Sequence, residues 1–172
     1  MRISDVNQLE FDEFTSKFGN VIEHATLITA AVWSERPFRS LTHLHDEICK
    51  FIDTLPDTGK AGILRCHPDL AGKLSQAGTL TSESTKEQSG SGLLSLTEDE
   101  RNYLQQCNAK YRNKFGFPFV ICARENKKDA IMKGFKTRLD NSMVDELNTG
   151  IREVKKIGWY RLLDLVDKDS HL

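Results

Sequence analysis

Apolar residues recur at intervals of three and four along most of the chain, and this spacing constrains the fold more than any other feature of the sequence. In the segment 144–166, for example, Leu147, Ile151 and Val154 fall on one face of a helix. The same periodicity, with Gly, Pro or capping residues at the ends, predicts helices at 11–18, 21–33, 41–55, 97–116, 131–139 and 144–166.

One apolar segment, 117–122, is too short for a helix and favours an extended buried conformation, although no strand partner for it is evident elsewhere. Residues 76–92 are rich in Ser, Thr and Gly, which is typical of a flexible linker or of a functional loop. Each flanking half is small for an independent core. The sequence therefore predicts an all-α, single-domain helical bundle spanning residues 1–172.

Composition excludes several classes of protein. The 24 Lys and Arg against 25 Asp and Glu give a net charge of −1, which argues against non-specific nucleic-acid binding. The apolar stretches are short and interrupted by charge, so neither a membrane span nor a secretory signal is expected. The histidines lack metal-ligand spacing, and no metal site is predicted. Wide spacing predicts reduced intracellular thiols rather than disulfides for the cysteines, which are Cys49, Cys66, Cys107 and Cys122.

His67 is a candidate for proton transfer, because an unperturbed imidazole titrates near about 6.5. It stands before Pro68, and proline favours the first position of a helix, so His67 is predicted to be the N-cap of a helix that begins at Pro68. The alternative is a surface histidine in a turn. Cys66 adjoins His67, but neighbouring side chains usually point in different directions, which argues against a Cys–His nucleophilic pair.

Glu87 and Arg161 each have a functional and a structural interpretation. The stretch 84–87, Ser-Thr-Lys-Glu, fits a capping box, in which Glu87 would only cap its own helix. Arg161 falls on the apolar stripe of the last predicted helix, with Gly158 making room beside it. A buried guanidinium needs a partner, which could be a substrate carboxylate, a buried Asp or Glu, or solvent near the helix end.

Several segments, in their order along the chain, resemble the 2-oxo-4-hydroxy-4-carboxy-5-ureidoimidazoline (OHCU) decarboxylase family. They are Arg36-Pro37-Phe38, His67-Pro68-Asp69-Leu70-Ala71, Ser84-Thr85-Lys86-Glu87-Gln88, Phe115-Gly116-Phe117-Pro118-Phe119 and Arg161-Leu162. The resemblance covers nearly the whole chain, and these segments together are highly specific. The bulky pair Trp159-Tyr160, just before the arginine, departs from the family pattern.

The resemblance implies a helical homodimer that decarboxylates OHCU to (S)-allantoin during urate degradation, without a metal or organic cofactor. It also implies that His67 is the catalytic acid or base, that Glu87 is its partner and that Arg161 anchors the substrate carboxylate. The remaining substrate-binding positions that it implies are Pro68, Ser84, Gln88, Phe119, Val120 and Ile121.

Two functional alternatives belong to other classes. A non-catalytic helical interaction module would need an apolar surface groove and no inward-facing polar side chains, so a buried Arg161 would count against it. A hydrolase acting on a ureide ring would need a metal cluster or a nucleophile, and the sequence offers neither.

The final tripeptide, Ser170-His171-Leu172, resembles the Ser-Lys-Leu address that the peroxisomal import receptor binds. A polar tail could also end in this way by chance. The sequence therefore predicts a peroxisomal location, or a cytosolic one if the tripeptide is not functional.

Overall fold

A computed structural model describes residues 1–168, apart from the side chain of Leu74, as α-helices joined by turns, with no β-strand in that range. A 3₁₀ turn at Trp33–Glu35 follows the third helix. The helices are α1 (Ile3–Val6), α2 (Phe11–Phe18), α3 (Thr26–Val32), α4 (Leu41–Thr54), α5 (Asp57–Arg65), α6 (Lys73–Gln76), α7 (Ser82–Gly90), α8 (Glu98–Phe115), α9 (Lys128–Arg138) and α10 (Met143–Leu165).

The chain packs into two compact units. The first comprises Met1–Cys66 together with the chain from Lys155 onward, and the second comprises His67–Val154. α10 therefore contributes its first half to the second unit and its remainder to the first. The all-α prediction is confirmed, whereas the assignment of residues 1–172 to a single domain stays a prediction.

Local capping explains where α8 begins and ends. The Thr97 hydroxyl accepts a hydrogen bond from the Glu100 amide (3.2 Å), and the Glu100 carboxylate accepts one from the Thr97 amide (2.9 Å). This reciprocal capping box confirms the prediction made from the sequence. At the other end, Gly116 adopts a left-handed conformation (φ 73°), which ends the helix.

The helix predicted at 21–33 begins later than expected. Val21 and Ile22 are buried, but they lie in turns, and the helix starts only at Thr26. The side chain of Asn20 accepts a hydrogen bond from the His24 amide, and His24 has a φ of 50°. Because the Asn20 amide group competes for the backbone donor, an apolar run that looks helical is folded as a turn instead.

Aromatic rings form much of the core of the second unit. Tyr111 on α8 is fully buried and makes edge-on contacts with Phe119 (5.3 Å between centroids) and Phe135 (6.2 Å). The Phe119 and Phe135 rings stack at 3.9 Å. Such pairs contribute about 0.5–1.5 kcal/mol each beyond the burial of their area. They fix Phe119 against α8 and α9.

Within residues 1–168, none of the helices combines the length and the apolar composition that crossing a lipid bilayer requires.

Candidate active site

α7 is unusual because the side chains it buries are all polar. Ser84, Glu87 and Gln88 are buried, while no apolar side chain of this helix is. Spacings of three and four place them on a single helical face. Burying a carboxylate, an amide and a hydroxyl costs free energy unless each forms hydrogen bonds, so a face of this composition is typical of a binding site rather than of a core.

The predicted capping box at Ser84 is wrong. The N-cap is Thr81, whose hydroxyl accepts a hydrogen bond from the Ser84 amide at 3.2 Å. Ser84 is therefore the third residue of α7, and Glu87 lies in the body of the helix, beyond reach of the N-terminal amides. This removes the interpretation of Glu87 as a capping residue.

The helix predicted to begin at Pro68 is also wrong. Residues 66–72 are non-helical, with turns at Cys66 and at Leu70 and Ala71, and α6 begins only at Lys73. Ala71 has a φ of 49°, which interrupts any helix there, and a Cβ at Gly72 would lie 2.7 Å from that of Asp69. His67 is therefore a loop residue, but it is 6% exposed, which contradicts the alternative of a surface histidine. Pro68 beside it is half-buried.

Side chains of α7 and α8 hold this loop, which we call the His67 loop (residues 67–72). Gln88 Oε1 accepts a buried hydrogen bond from the Ala71 amide (2.9 Å). Asn108 Nδ2 donates a buried hydrogen bond to the Leu70 carbonyl (3.0 Å). Through Gln88, the structure joins the His67 loop to the helix that carries Glu87 and Ser84. Sequence reasoning assigned Gln88 to the substrate and did not predict its contact with Ala71.

The apolar segment 117–122 forms no strand, and side chains from elsewhere in the second unit bond backbone groups at its C-terminal end. Arg138 Nη1 donates to the Val120 carbonyl (2.8 Å), and its guanidinium lies over the Phe119 ring (4.2 Å). Further along, the Cys122 amide donates to a Glu153 carboxylate oxygen (2.8 Å). Phe119 and Val120 are buried and Ile121 is half-buried.

Arg138 is in turn held by Glu146, which is 0% exposed. Glu146 Oε1 accepts from Arg138 Nε (2.6 Å) and from the Tyr111 hydroxyl, and Oε2 accepts from Asn141 Nδ2 (2.9 Å). Burial and the hydrogen bond to Glu146 raise the pKa of Tyr111, so its hydroxyl stays protonated and keeps donating. Arg138 lies three residues after the buried Phe135. The reasoning from apolar helical spacing that predicted a buried Arg161 would have predicted a buried Arg138 as well.

Arg161 belongs to the first unit and is 2% exposed, which confirms that it lies on the buried stripe of α10. Its Nη1 donates to Glu23 Oε2 (2.6 Å) and to the Asn20 carbonyl (2.8 Å). Gly158, one turn earlier, permits the close approach of the neighbouring segment, because a Cβ there would lie 3.1 Å from Ile22 Cδ1. The ion-pair alternative is thus observed. A role as carboxylate anchor, and convergence with the histidine and glutamate of the second unit, stay predictions.

Thiol nucleophiles and metal ligands find little support in the described part of the chain. Burial raises the pKa of Cys49 and of Cys122 to about 11, so both thiols are protonated at neutral pH. Residues 1–168 contain no group of three or more His, Cys, Asp or Glu side chains arranged to hold a metal ion. The tripeptide 170–172 lies outside the described residues.

Known proteins resemble this chain over nearly its whole length. The family profile described as OHCU decarboxylase matches residues 7–163. A mouse (Mus musculus) protein named 2-oxo-4-hydroxy-4-carboxy-5-ureidoimidazoline decarboxylase is 50% identical over 99% of this chain and 96% of its own length. A Xenopus laevis protein of the same name is 48% identical over 96% of this chain and 94% of its own length.

The fold has a counterpart among solved structures. A crystal structure described as OHCU decarboxylase in the presence of (S)-allantoin covers 87% of this chain and 96% of its own, with a TM-score of 0.71 at 19% identity. At that identity the likeness establishes the all-α fold only. The family profile and the two relatives, each matched over nearly its full length, show that this chain belongs to the OHCU decarboxylase family.

Proposed function

We propose that this protein is a carboxy-lyase that converts OHCU to (S)-allantoin in urate degradation. The observation that carries the proposal is the buried polar face of α7, with Ser84, Glu87 and Gln88, joined through Gln88 to the His67 loop. The family's relatives are named for this reaction, and they match the chain over almost its whole length.

The substrate itself provides the electron sink for the reaction. Its carboxylate sits on a ring carbon next to a C=N bond, so the electron pair released when the C–COO⁻ bond breaks flows into that imine. The imine nitrogen, which receives the displaced electron pair, takes up a proton. The hydroxyl group on the carbon that has lost CO2 gives up its proton and becomes the carbonyl of allantoin, while the neighbouring carbon gains a proton. What remains for the protein is to orient the ring, place charge and move protons.

His67 and Glu87 are proposed to carry out these proton transfers. Both are buried, at 6% and 9% exposure, so a bound substrate would exchange protons with them rather than with bulk water. The loop that carries His67 is tied to α7 next to Glu87, through the hydrogen bond that the Ala71 amide donates to Gln88. These two side chains thus have the chemical types and the rigid support that general acid–base catalysis needs.

Arg161 is proposed to bind the substrate carboxylate. A guanidinium presents its N–H donors in a planar fork that matches a carboxylate, and the observed bonds of Nη1 to Glu23 and Asn20 fix the orientation of that fork. Glu23 also compensates the buried charge in the absence of substrate.

The backbone at 119–121, with Ser84 and Gln88, is proposed to hold the ring and ureido amides. Arg138 supports this segment by fixing the Val120 carbonyl and the Phe119 ring. A rigid amide-binding wall of this kind favours a single orientation of the planar intermediate, and therefore protonation from one face.

An interaction module remains the alternative from another class, and the composition of the buried surface counts against it. Such a module has no use for a buried carboxylate, histidine and guanidinium, whose desolvation is costly. The hydrolase alternative finds no activated nucleophile in the Cys122 and Cys49 thiols, because both are protonated at neutral pH.

Stereochemistry provides the decisive experiment. Urate freshly oxidised by urate oxidase and opened by a hydrolase is supplied to the purified protein in deuterated water, and circular dichroism is followed. We expect accelerated formation of allantoin with a persistent dichroic signal of one sign and deuterium at the new C–H position. Unchanged kinetics relative to buffer would refute the decarboxylase assignment. A faster but racemic product would refute protonation by His67 and Glu87 while retaining CO2 loss.

We further propose that the protein works as a homodimer. The family resemblance is the main support, and uncovered apolar surface adds to it: Met143 and Val144, at the start of α10, are 49% and 64% exposed. Light scattering at micromolar concentration should give twice the mass of one chain. A monomer mass across the accessible concentration range would refute the dimer.

Peroxisomal import through Ser170-His171-Leu172 is also proposed, on sequence alone. A fluorescent protein fused ahead of the full chain should appear in puncta that contain a peroxisomal marker. Deletion of the tripeptide should move it to the cytosol without changing turnover. Puncta that survive the deletion would rule out this signal.

A further inference from the structure

The His67 loop has no regular secondary structure to hold its shape. Residues 67–72 lie between α5 and α6 without a helical hydrogen-bond ladder, and Ala71 adopts a φ of 49°. A non-glycine residue in this region persists only where neighbouring groups impose the conformation. The position of His67 therefore depends on side chains that reach the loop from outside it.

These side chains differ in how firmly they hold the loop. The Arg112–Asp69 ion pair (2.8 Å) is solvent-exposed and hence weak. The bonds that Gln88 makes to Ala71 and Asn108 makes to Leu70 are both buried. Because Gln88 is already assigned to the substrate-binding face of α7, Asn108 is the buried anchor with no other role.

Asn108 occupies a position where an apolar residue would be expected. It lies on the core-facing side of α8, four residues after Leu104 and three before Tyr111, and it is 6% exposed. Its Nδ2 donates to the Leu70 carbonyl, while its buried Oδ1 accepts no hydrogen bond from the described residues. A leucine would fill this site without burying a polar group, so the amide is explained by the bond to the loop.

We propose that Asn108 is a positioning residue that sets the location of His67 by holding the Leu70 carbonyl. Leu70 follows His67 by only three residues, and Pro68 between them has its φ fixed by its ring, so holding the Leu70 carbonyl restricts the path of the short chain that leads to the imidazole. This inference rests on the proposed decarboxylation, in which His67 transfers a proton.

Two substitutions separate the effect of the hydrogen bond from the effect of the volume of the Asn108 side chain. Asn108→Leu keeps the approximate volume and removes the donor at every pH. Asn108→Asp supplies a donor only while the acid is protonated, because an ionised carboxylate would face the Leu70 carbonyl with no proton to share. Burial raises the pKa of a carboxyl group at such a position, so the switch falls within an accessible pH range.

We expect Asn108→Leu to lower kcat by about 10²-fold, as displacement of a catalytic group by about 1 Å would, with KM within about threefold of the parent. Asn108→Asp should approach parental kcat at the acidic end of its profile and fall toward the leucine variant as pH rises through its pKa. Matched controls are Asn102→Leu and Asn102→Asp, on an exposed position of the same helix. The parent, the leucine variant and the controls share the other titratable or charged groups of the loop and its supports, among them His67, Asp69, Glu87, Tyr111 and Arg112.

A second measurement does not depend on turnover. The imidazole resonances of the protein's five histidines can be resolved by ¹⁵N NMR, and the one from His67 is identified by its loss in His67→Asn. In Asn108→Asp this resonance should match the parent at low pH and shift as the new carboxyl ionises, whereas the Asn102→Asp control should show no such step.

The outcomes distinguish the two proposals. A parent protein without decarboxylase activity would refute the proposed function and the inference with it. An active parent with parental kcat in Asn108→Leu, or a pH profile of Asn108→Asp without the extra ionisation, would overturn the positioning role alone. If Asn108→Leu fails to fold, the aspartate variant and its NMR step still decide.

Discussion

Removal of the Glu146 carboxylate should destabilise the second unit about as much as the truncation of a large core side chain. Glu146 is completely buried and accepts hydrogen bonds from Arg138, Asn141 and Tyr111. In Glu146→Leu the Arg138 guanidinium would stay buried beside an apolar side chain, with only the Val120 carbonyl and the face of the Phe119 ring to compensate it.

The magnitude follows from the cost of breaking one side of a buried ion pair, which is about 3–5 kcal/mol. For a chain of 172 residues, each kcal/mol corresponds to roughly 2–4 °C in Tm, so Glu146→Leu should melt about 6–20 °C below the parent. The double variant Arg138→Leu/Glu146→Leu removes both charges. We expect its loss to fall short of the sum of the single losses by about 2–3 kcal/mol, because no uncompensated charge is left.

Urea unfolding followed by far-UV circular dichroism measures the free energies of unfolding of the four proteins in this cycle. Additivity of the single losses to within about 0.5 kcal/mol would refute the coupling between Arg138 and Glu146. Turnover provides an independent check, since Arg138 also holds the Val120 carbonyl. Activity should be lost in both Arg138 variants, the single and the double, whereas the coupling makes their free energies of unfolding depend on whether Glu146 is also replaced.

The remaining predictions concern the proposed chemistry. His67→Asn should keep its Tm and lose kcat by roughly 10²–10⁴-fold; near-normal turnover would assign His67 a structural role. Arg161→Lys should raise KM about tenfold or more in steady-state kinetics, because a point charge cannot reproduce a planar fork on a carboxylate, and a parental KM would contradict the anchor role. Prolonged treatment with a chelator should leave turnover intact, whereas loss of activity that zinc or manganese restores would overturn the cofactor-free interpretation.

Local sequence signals predicted the helices that carry strong local determinants. α2 and α4 were predicted with bounds within a residue of those observed, from apolar spacing and from stop signals at Gly19 and Pro56. α8 was predicted from its capping box, whose two hydrogen bonds involve only Thr97 and Glu100. Interactions confined to four or five neighbouring residues are readable from the sequence, since nothing distant is needed to form them.

Elements without such signals were missed or misplaced. α5 was not predicted, because its sequence contains Gly59 and Gly62 and buries only Ile63 and Leu64, too little for a visible periodicity. The helix predicted at Pro68 is wrong for a different reason: Ala71 has a left-handed φ, and its amide donates to Gln88, seventeen residues along the chain. The helix propensity of the residues that follow Pro68 does not contain that information.

The same distinction applies to the candidate site. Helical phase alone correctly placed Arg161 in the core, and the same phase argument would have found Arg138 and Asn108. The partners could not be read in this way. Glu23 is 138 residues from Arg161, and Asn108 is 38 residues from the carbonyl it holds. Periodicity tells which polar side chains are buried, and only the fold tells what they bind.

Ala71 lies in the proposed catalytic loop and adopts a left-handed backbone conformation that alanine normally avoids. Alanine at a φ of 49° costs about 1–3 kcal/mol, and the buried bond from Gln88 offsets that cost. Ala71→Gly relieves the strain, while the wider conformations open to the unfolded chain cost about 0.4–1 kcal/mol, so the free energy of unfolding should stay level or rise by up to about 2.5 kcal/mol. The loop would nevertheless lose stiffness next to His67, and kcat should fall by about three- to tenfold although Tm does not fall below that of the parent. Gly72→Ala is the opposite control, since its Cβ would clash with Asp69 and distort the loop at a cost in Tm as well as in kcat. Parental kcat in Ala71→Gly would show that the constrained backbone at residue 71 has no part in placing the histidine.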